Sequence, residues 1–303
     1  MKSMTKKAET IQSAGYGETL GIRLLREMAA RGLFIFSTEE AKTAGGDLGI
    51  DEGYCPQLLS HLVAGGWLRR LRRGLYAGLG RLPGSVEVHP FAVATRLVSP
   101  AAISHWSALH HHGLTEQVPR HVTASTPRKV VTPSMRAPSE AQRREARQSG
   151  QEGGKHLWET NGAAYEYFTV TRDRFFGIEE VWVDEHFRVP ICDKERSLLD
   201  GFITPRVFGS LSEPLGILEE HLGDLDLEKI VAYAVRLGKA SVARRLGWAL
   251  DRLGVPPRVT EPLASLPMDG VRVLDPTRPR EGRYDDRWMV QENLSQRGQV
   301  VRR

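Results

Sequence analysis

An arginine-rich segment without acidic residues is the first part of the sequence whose residue types could do chemistry. No aspartate or glutamate lies between Glu52 and Glu87. Five arginines fall in that interval: Arg69, Arg70, Arg72, Arg73 and Arg81. Guanidinium groups match phosphate geometry, and basic side chains that neutralise nucleic-acid phosphates release condensed counterions. A solvated face with no partner is the alternative interpretation of such a run.

The residues before these arginines predict three short helices. Apolar residues recur at helical spacing from Leu20 to Met28, which is typical of a helix with one buried face. Ser37 and Glu40 have the spacing of a capping box, so a second helix is predicted to begin there. Pro56 is best tolerated in the first turn of a helix, and a third helix is therefore predicted to begin beside it.

A β-hairpin is predicted after the third helix, at residues 67–77, with a tight turn at Arg73 and Gly74. Three helices followed by an arginine-tipped hairpin are the arrangement of a winged helix-turn-helix module, whose helix meets base edges in the major groove. The predicted DNA-binding residues are Lys42, Tyr54, Gln57, Ser60, His61, Arg69, Arg70, Arg72 and Arg73. The alternative is a module of this shape that docks proteins without contacting DNA.

Composition places the chain among folded water-soluble proteins of about two domains. It has 303 residues, of which 40% are hydrophobic and 26% charged, with a net charge of +5. No apolar run reaches the roughly 18–20 residues of a membrane span, and no apolar stretch follows the basic start, so a cytoplasmic protein is predicted. Two cysteines, Cys55 and Cys192, cannot form a disulfide framework or a cysteine zinc site. No cofactor is predicted.

The chain predicts an α+β fold, with an N-terminal winged module and a mixed α/β second domain. Residues 1–82 form the predicted winged helix-turn-helix domain, and residues 83–135 a connector that packs on it. Residues 136–155, rich in Arg, Glu, Gln, Ser and Gly, are predicted to be a flexible insertion. Strand-like alternation and two amphipathic helices place the second domain at 156–275, and a charged segment follows at 276–303.

Four strings of residues carry a resemblance to a known family. They are GWLRRLRRGLY at 66–76, ISHWSALHHHGLT at 103–115, ICDKERSLLD at 191–200 and ARRLG at 243–247. Their order and spacing resemble the AbiEi-like antitoxins of type IV toxin–antitoxin, or abortive-infection, systems. The resemblance covers most of the chain, from about Gly17 to Asn293.

This resemblance implies a DNA-binding transcriptional regulator with two roles. The winged domain would repress the chain's own promoter by binding double-stranded DNA. The C-terminal domain would be an antitoxin that counteracts a cognate nucleotidyltransferase toxin, directly or indirectly, in phage defence. Operators of such proteins are commonly inverted repeats, so a homodimer on DNA is expected. No membrane partner is implied.

A candidate antitoxin surface lies on two helices of the second domain. It consists of Glu195, Arg196, Asp200, Arg244 and Arg245. A structural role is the alternative, because Arg196 and Asp200 have the i, i+4 spacing of a helical ion pair. Either arginine of the 244–245 pair could equally extend along an amphipathic helix towards solvent.

An enzymatic alternative rests on Gly209-Ser210 followed by Asp224 and Asp226. The order is similar to nucleotidyltransferases, whose aspartates hold Mg²⁺ from one strand at positions i and i+2. Asp226 precedes an amphipathic helix and is more naturally its N-cap, so no enzymatic activity is predicted. His110, His111 and His112 are adjacent and point in different directions on a helix, so no metal site is predicted either.

Overall fold

Residues 20–80, 86–132, 157–160, 162–267 and 270–294 are described by a computed structural model. Within them the chain has the predicted α+β class. It divides into two units. The first contains the described residues of Met1–Ser99 with Trp158–Ala164 and Val181–Val189, and the second contains those of Pro100–Leu157, Tyr165–Glu180 and Pro190–Arg303. Across the described ranges, no helix is long and apolar enough to cross a membrane.

The first unit begins with three helices and a small antiparallel sheet. Its elements are α1 at 20–30, β1 at Ile35–Ser37, α2 at Thr38–Asp47, α3 at Cys55–Ala64, β2 at Leu68–Arg72, β3 at Leu75–Gly78 and α4 at Pro90–Leu97. The three strands lie in the order β1-β3-β2, and both pairings are antiparallel. Three helices followed by a hairpin is the order predicted from the sequence.

Local signals in the sequence set the helix boundaries of this unit. The predicted capping box is present, since the Glu40 backbone N–H donates to Ser37 Oγ at 3.1 Å and Ser37 N–H donates to Glu40 Oε2 at 2.5 Å. Helix α3 begins at Cys55 with Pro56 in its first turn. Asp51 accepts a hydrogen bond from the backbone N–H of Tyr54 just before that turn, at 3.1 Å.

The apolar residues of these elements form one core. Leu58 and Leu59 of α3 pack there with Met28 of α1, Phe36 of β1 and Leu68 of β2, and all five are buried. Burying this face of α3 leaves its opposite face in solvent, because residues three and four apart share one side of a helix.

The second unit contains the central strands of a six-stranded sheet. The strands are β4 at Ala102–Ile103, β5 at Val122–Thr126, β6 at Leu157–Thr160, β7 at Ala163–Thr169, β8 at Ile178–Trp182 and β9 at Arg188–Cys192. Their order is β6-β7-β5-β4-β9-β8. The sheet is mixed, because β4 pairs antiparallel with β5 and parallel with β9.

Six helices and a second small sheet complete this unit. They are α5 at His105–His111, α6 at Lys194–Ile203, α7 at Ser212–Glu220, α8 at Leu227–Leu237, α9 at Ala240–Arg252, α10 at Pro257–Ala264, β10 at Arg272–Val273, β11 at Arg283–Asp285 and β12 at Val290–Glu292. The sheet order is β10-β12-β11. Leu198, Leu246 and Trp288 lie in the large apolar core that these elements share.

The two units divide the described residues at other places than the predicted domains do. Within the predicted connector 83–135, α4 belongs to the first unit while β4, α5 and β5 belong to the second. Within the predicted charged segment 276–303, the strands β11 and β12 pair in the second unit. Alternation is too short in two-residue and three-residue strands to be recognised in a sequence. The predicted insertion at 136–155 lies outside the described residues.

Two glycine substitutions test the packing of the second unit. A Cβ on Gly247, inside α9, would overlap the buried ring of Trp288, whereas a Cβ on the exposed Gly216 of α7 meets nothing within 4 Å. We expect Gly247→Ala to lower the free energy of unfolding by about 1–3 kcal/mol through overpacking. Gly216→Ala should raise it by about 0.5–1 kcal/mol through helix propensity. Urea unfolding of both variants measures the difference, and equal midpoints would contradict the packing.

Candidate nucleic-acid interface

The solvent-facing side of α3 carries part of the predicted interface. Gln57, Ser60 and His61 are exposed and share one face of the helix. Ser60 Oγ donates to the carbonyl of Pro56 at 2.9 Å, so this hydroxyl is already engaged within its own helix. Tyr54 occupies the N-cap position, is half-buried and packs on the core. Gln57 and His61 are therefore the side chains most available to a ligand.

The hairpin that follows α3 presents arginines in an irregular strand. Arg70 pairs with Tyr76 and Arg72 with Leu75, so Leu71 is an extra residue that forms a β-bulge. Leu71 is buried, while the arginines on either side of it are exposed. The bulge thus brings arginines to the surface at positions that strict alternation would not expose.

The tip of the hairpin is fixed to the start of α2. Gly74 has a φ of +73°, a left-handed conformation that favours glycine in the tight turn after Arg73. Its carbonyl accepts a hydrogen bond from the backbone N–H of Thr38 at 3.1 Å. The predicted turn at Arg73 and Gly74 is confirmed.

The four predicted arginines of the hairpin have different surroundings. Arg72 donates from Nε to the carbonyl of Leu97 at 3.2 Å and from Nη1 to the carbonyl of Arg73 at 3.4 Å. Among the described residues, no carboxylate pairs with Arg69, Arg70 or Arg73. These three guanidinium groups can therefore accept an external anion without breaking an ion pair.

The acidic side chains of residues 20–80 are already partnered. Six are present, and five of them pair with a base: Glu27 and Asp47 with Arg31, Glu39 and Glu52 with Lys42, and Glu40 with Arg96. The sixth, Asp51, accepts from the backbone before α3. With these carboxylates neutralised, the uncompensated charge of this stretch lies on the hairpin arginines and on Arg23 and Arg26 of α1.

Lys42 is one of these partnered bases. Its Nζ lies 3.2 Å from both Glu39 Oε1 and Glu52 Oε1, and hydrogen bonds to Glu52 and then Glu39 raise the pKa of the ammonium. Contact with a phosphate would have to compete with both carboxylates. The predicted DNA contact of Lys42 therefore has weaker support than those of the arginines.

The structure buries all five residues of the predicted antitoxin surface. Glu195, Arg196, Asp200, Arg244 and Arg245 each have less than a tenth of their surface exposed. The structural alternative holds for the first helix, where Arg196 Nη1 pairs with Asp200 Oδ1. These residues lie inside the second unit, where they bond other elements of its core. The two arginines of α9 are examples.

Arg244 and Arg245 bond backbone carbonyls and not solvent. Arg244 Nη2 donates to the carbonyl of Leu266 at 2.9 Å, and Arg245 Nε donates to the carbonyl of Leu274 at 2.7 Å. Burial lowers the pKa of both guanidinium groups, and Asp275 offsets this only in part for Arg245. Each guanidinium group thereby bonds α9 to a segment more than 20 residues further along the chain.

His105 is a buried residue whose environment the sequence did not indicate. Its ring stacks on Phe168 at 3.9 Å between centroids, and its Nδ1 lies 2.9 Å from Ser104 Oγ and 3.8 Å from Asp200 Oδ2. Burial lowers its pKa more than Asp200 raises it. His112 donates separately, from Nε2 to the carbonyl of Cys192 at 2.7 Å. Within the described residues, no three metal-ligating side chains form a cluster.

The aspartates of the enzymatic alternative do not lie on a strand. Asp226 is the N-cap of α8, as predicted, and accepts from the backbone N–H of Lys229 at 3.0 Å. Asp224 lies in a short 3-10 turn, with its carboxylate 3.4 Å from Nδ1 of His221. The two carboxylates therefore lack the strand geometry that a nucleotidyltransferase requires.

Comparisons with known proteins bear on the first unit and on the fold. Residues 23–77, from α1 to β3, match the protein family described as a transcriptional regulator, AbiEi antitoxin, which confirms the predicted resemblance there. The crystal structure of the RV2827C protein from Mycobacterium tuberculosis has a similar fold, with a TM-score of 0.55 and 17% sequence identity over 90% of each chain. Comparison with curated proteins gave no match.

Removal of one buried charge tests the internal role of Asp200. Asp200→Asn leaves Arg196 buried without its charged partner, and we expect the free energy of unfolding to fall by about 3–5 kcal/mol. Asp224→Asn is the matched control, since its side chain is 68% exposed and should change stability by less than about 0.5 kcal/mol. Chemical denaturation compares the two. A fully stable Asp200→Asn protein would contradict the buried pair.

Proposed function

We propose that this protein is a DNA-binding transcriptional regulator and the antitoxin of a type IV toxin–antitoxin system. The observation that carries the proposal is the exposed polar face of α3 followed by a hairpin whose arginines have no carboxylate partner in the described chain. The family match over residues 23–77 supports the same role, because that family is described as a regulator and antitoxin.

Helix α3 supplies the side chains for reading bases. An α-helix fits the major groove, where a glutamine side chain can donate to and accept from adenine in a bidentate pair. Gln57 is exposed near the start of α3, and His61 lies one turn later on the same face. Ser60 and Tyr54 would contribute less, since one bonds its own helix and the other packs on the core.

The hairpin arginines supply sequence-independent affinity. Arg69, Arg70 and Arg73 would each neutralise a backbone phosphate and release counterions, which makes binding depend steeply on salt. Phosphate contacts of this kind fix the register of a protein on the duplex, while the helix in the groove provides specificity.

Autorepression and toxin neutralisation complete the proposal. The DNA partner would be the chain's own promoter, bound by two copies of the chain at an inverted repeat. The second unit would counteract a nucleotidyltransferase toxin, by direct contact or indirectly. The aspartates of the enzymatic alternative lack the required strand geometry, so they support no competing proposal.

A salt series with a promoter fragment tests the DNA interface. We expect the wild type to bind with a steep negative slope of log affinity against log salt. The variant Arg69→Ala/Arg70→Ala should weaken binding and reduce the slope by about 2, because two phosphate contacts are lost. Gel shift or fluorescence anisotropy between about 50 and 200 mM salt measures both quantities.

Equal charge removed elsewhere provides the control for this experiment. Arg272→Ala/Arg283→Ala also removes two exposed positive charges, but from strands β10 and β11 of the second unit. It should keep the wild-type slope. An Arg69→Ala/Arg70→Ala protein that binds as tightly as wild type at every salt concentration would exclude the hairpin from the interface.

Toxin neutralisation is tested separately by co-expression. We expect a nucleotidyltransferase reading frame next to this gene, and its expression alone should arrest growth. Co-expression of the wild-type chain should restore growth, and Arg69→Ala/Arg70→Ala should restore it equally, because the hairpin serves DNA binding. Growth arrest that persists with the wild-type chain present would contradict the antitoxin role.

A further inference from the structure

Arg72 differs from the other hairpin arginines because it is bonded inside the first unit. Its Nε–H donates to the carbonyl of Leu97, the last residue of α4, at 3.2 Å. The last carbonyls of a helix have no partner within the helix, and they carry the negative end of its dipole. A guanidinium group at that end satisfies one of these carbonyls with a favourable charge interaction.

Helix α4 is attached at a second point through Arg96. Arg96 Nη2 lies 2.7 Å from Glu40 Oε2 and 3.3 Å from the carbonyl of Ile35 in β1. Glu40 is also the residue that completes the capping box with Ser37 at the start of α2. Consecutive residues at the end of α4 therefore contact the start of α2 on one side and strand β2 on the other.

We propose that α4 is a clamp that positions the DNA-binding hairpin, and that Arg72 and Arg96 are positioning residues that do not contact phosphate. The inference rests on the proposed DNA binding. Arg72 bonds the arginine-bearing strand to the end of α4, and Arg96 bonds the same end of α4 to α2. These contacts fix the position of the hairpin in the first unit of the free protein, before DNA binds. Helix α4 lies beyond the segment 23–77 that the regulator family matches.

Loss of the clamp has a different signature from loss of a phosphate contact. A loosened hairpin must be ordered on binding, which costs free energy that does not depend on salt. The slope of log affinity against log salt counts the phosphates neutralised in the complex, and it stays unchanged if Arg69, Arg70 and Arg73 still bind. Removal of a phosphate contact lowers the slope by about 0.9.

The experiment compares single arginine variants of the full chain on the same promoter fragment. Arg70→Ala should weaken binding and lower the slope by about 0.9. Arg72→Ala removes the same charge from the same strand; it should weaken binding about threefold to tenfold and keep the wild-type slope. Arg96→Ala should behave as Arg72→Ala does, and Arg96→Lys, which can still pair with Glu40, should recover most of the lost affinity.

Hydrogen exchange on the free protein provides a readout that does not require DNA. The amides of β3, Leu75–Gly78, should exchange faster in Arg72→Ala and Arg96→Ala than in wild type, and at the wild-type rate in Arg70→Ala. The proposal is overturned if Arg72→Ala lowers the slope as Arg70→Ala does, if it keeps wild-type affinity, or if β3 exchange does not change. Absence of salt-dependent DNA binding by wild type would refute the proposed function, while the exchange data would still decide whether the clamp exists.

Discussion

The carboxylate of Glu40 is the group on which the geometry of the first unit depends. It accepts from the backbone N–H of Ser37 and from the guanidinium of Arg96, so one side chain joins β1, α2 and α4. Burial raises the pKa of this carboxyl, but hydrogen bonds from Arg96 and Ser37 outweigh burial and hold it below its ordinary value. Glu40 is therefore ionised at neutral pH, and a charge-assisted contact keeps the start of α2 in place.

The distribution of ion pairs follows from this arrangement. Carboxylates of the first unit take Arg31, Lys42 and Arg96 as partners, so these three bases are compensated. Strand β2 and its turn contain no acid, and this absence leaves Arg69 and Arg70 without a partner in the described chain. Exposed ion pairs contribute little to stability, so the pattern matters mainly for where positive potential remains.

Sequence alone predicted the features that depend on neighbouring residues. The capping box at Ser37, the first-turn position of Pro56 and the turn at Gly74 each follow from local chemistry, and the structure has all three. The sequence could not predict that Arg72 Nε donates to the carbonyl of Leu97, because no local pattern relates residues 25 positions apart. The four hairpin arginines look equivalent in the sequence, and only tertiary contacts divide them into three free groups and one bonded group.

The charged strings of the second unit show a second limit of the sequence, which does not reveal that charged residues are buried. ICDKERSLLD and ARRLG resemble an interaction surface because they are rich in charge, yet their arginines and Asp200 are buried. Arg245 bonds the carbonyl of Leu274 and approaches that of Phe202, so it links α9 to two other chain segments. Removing one partner from such a network leaves an unpaired buried group, which destabilises the folded chain. The charged residues of these strings are therefore engaged in packing inside the second unit.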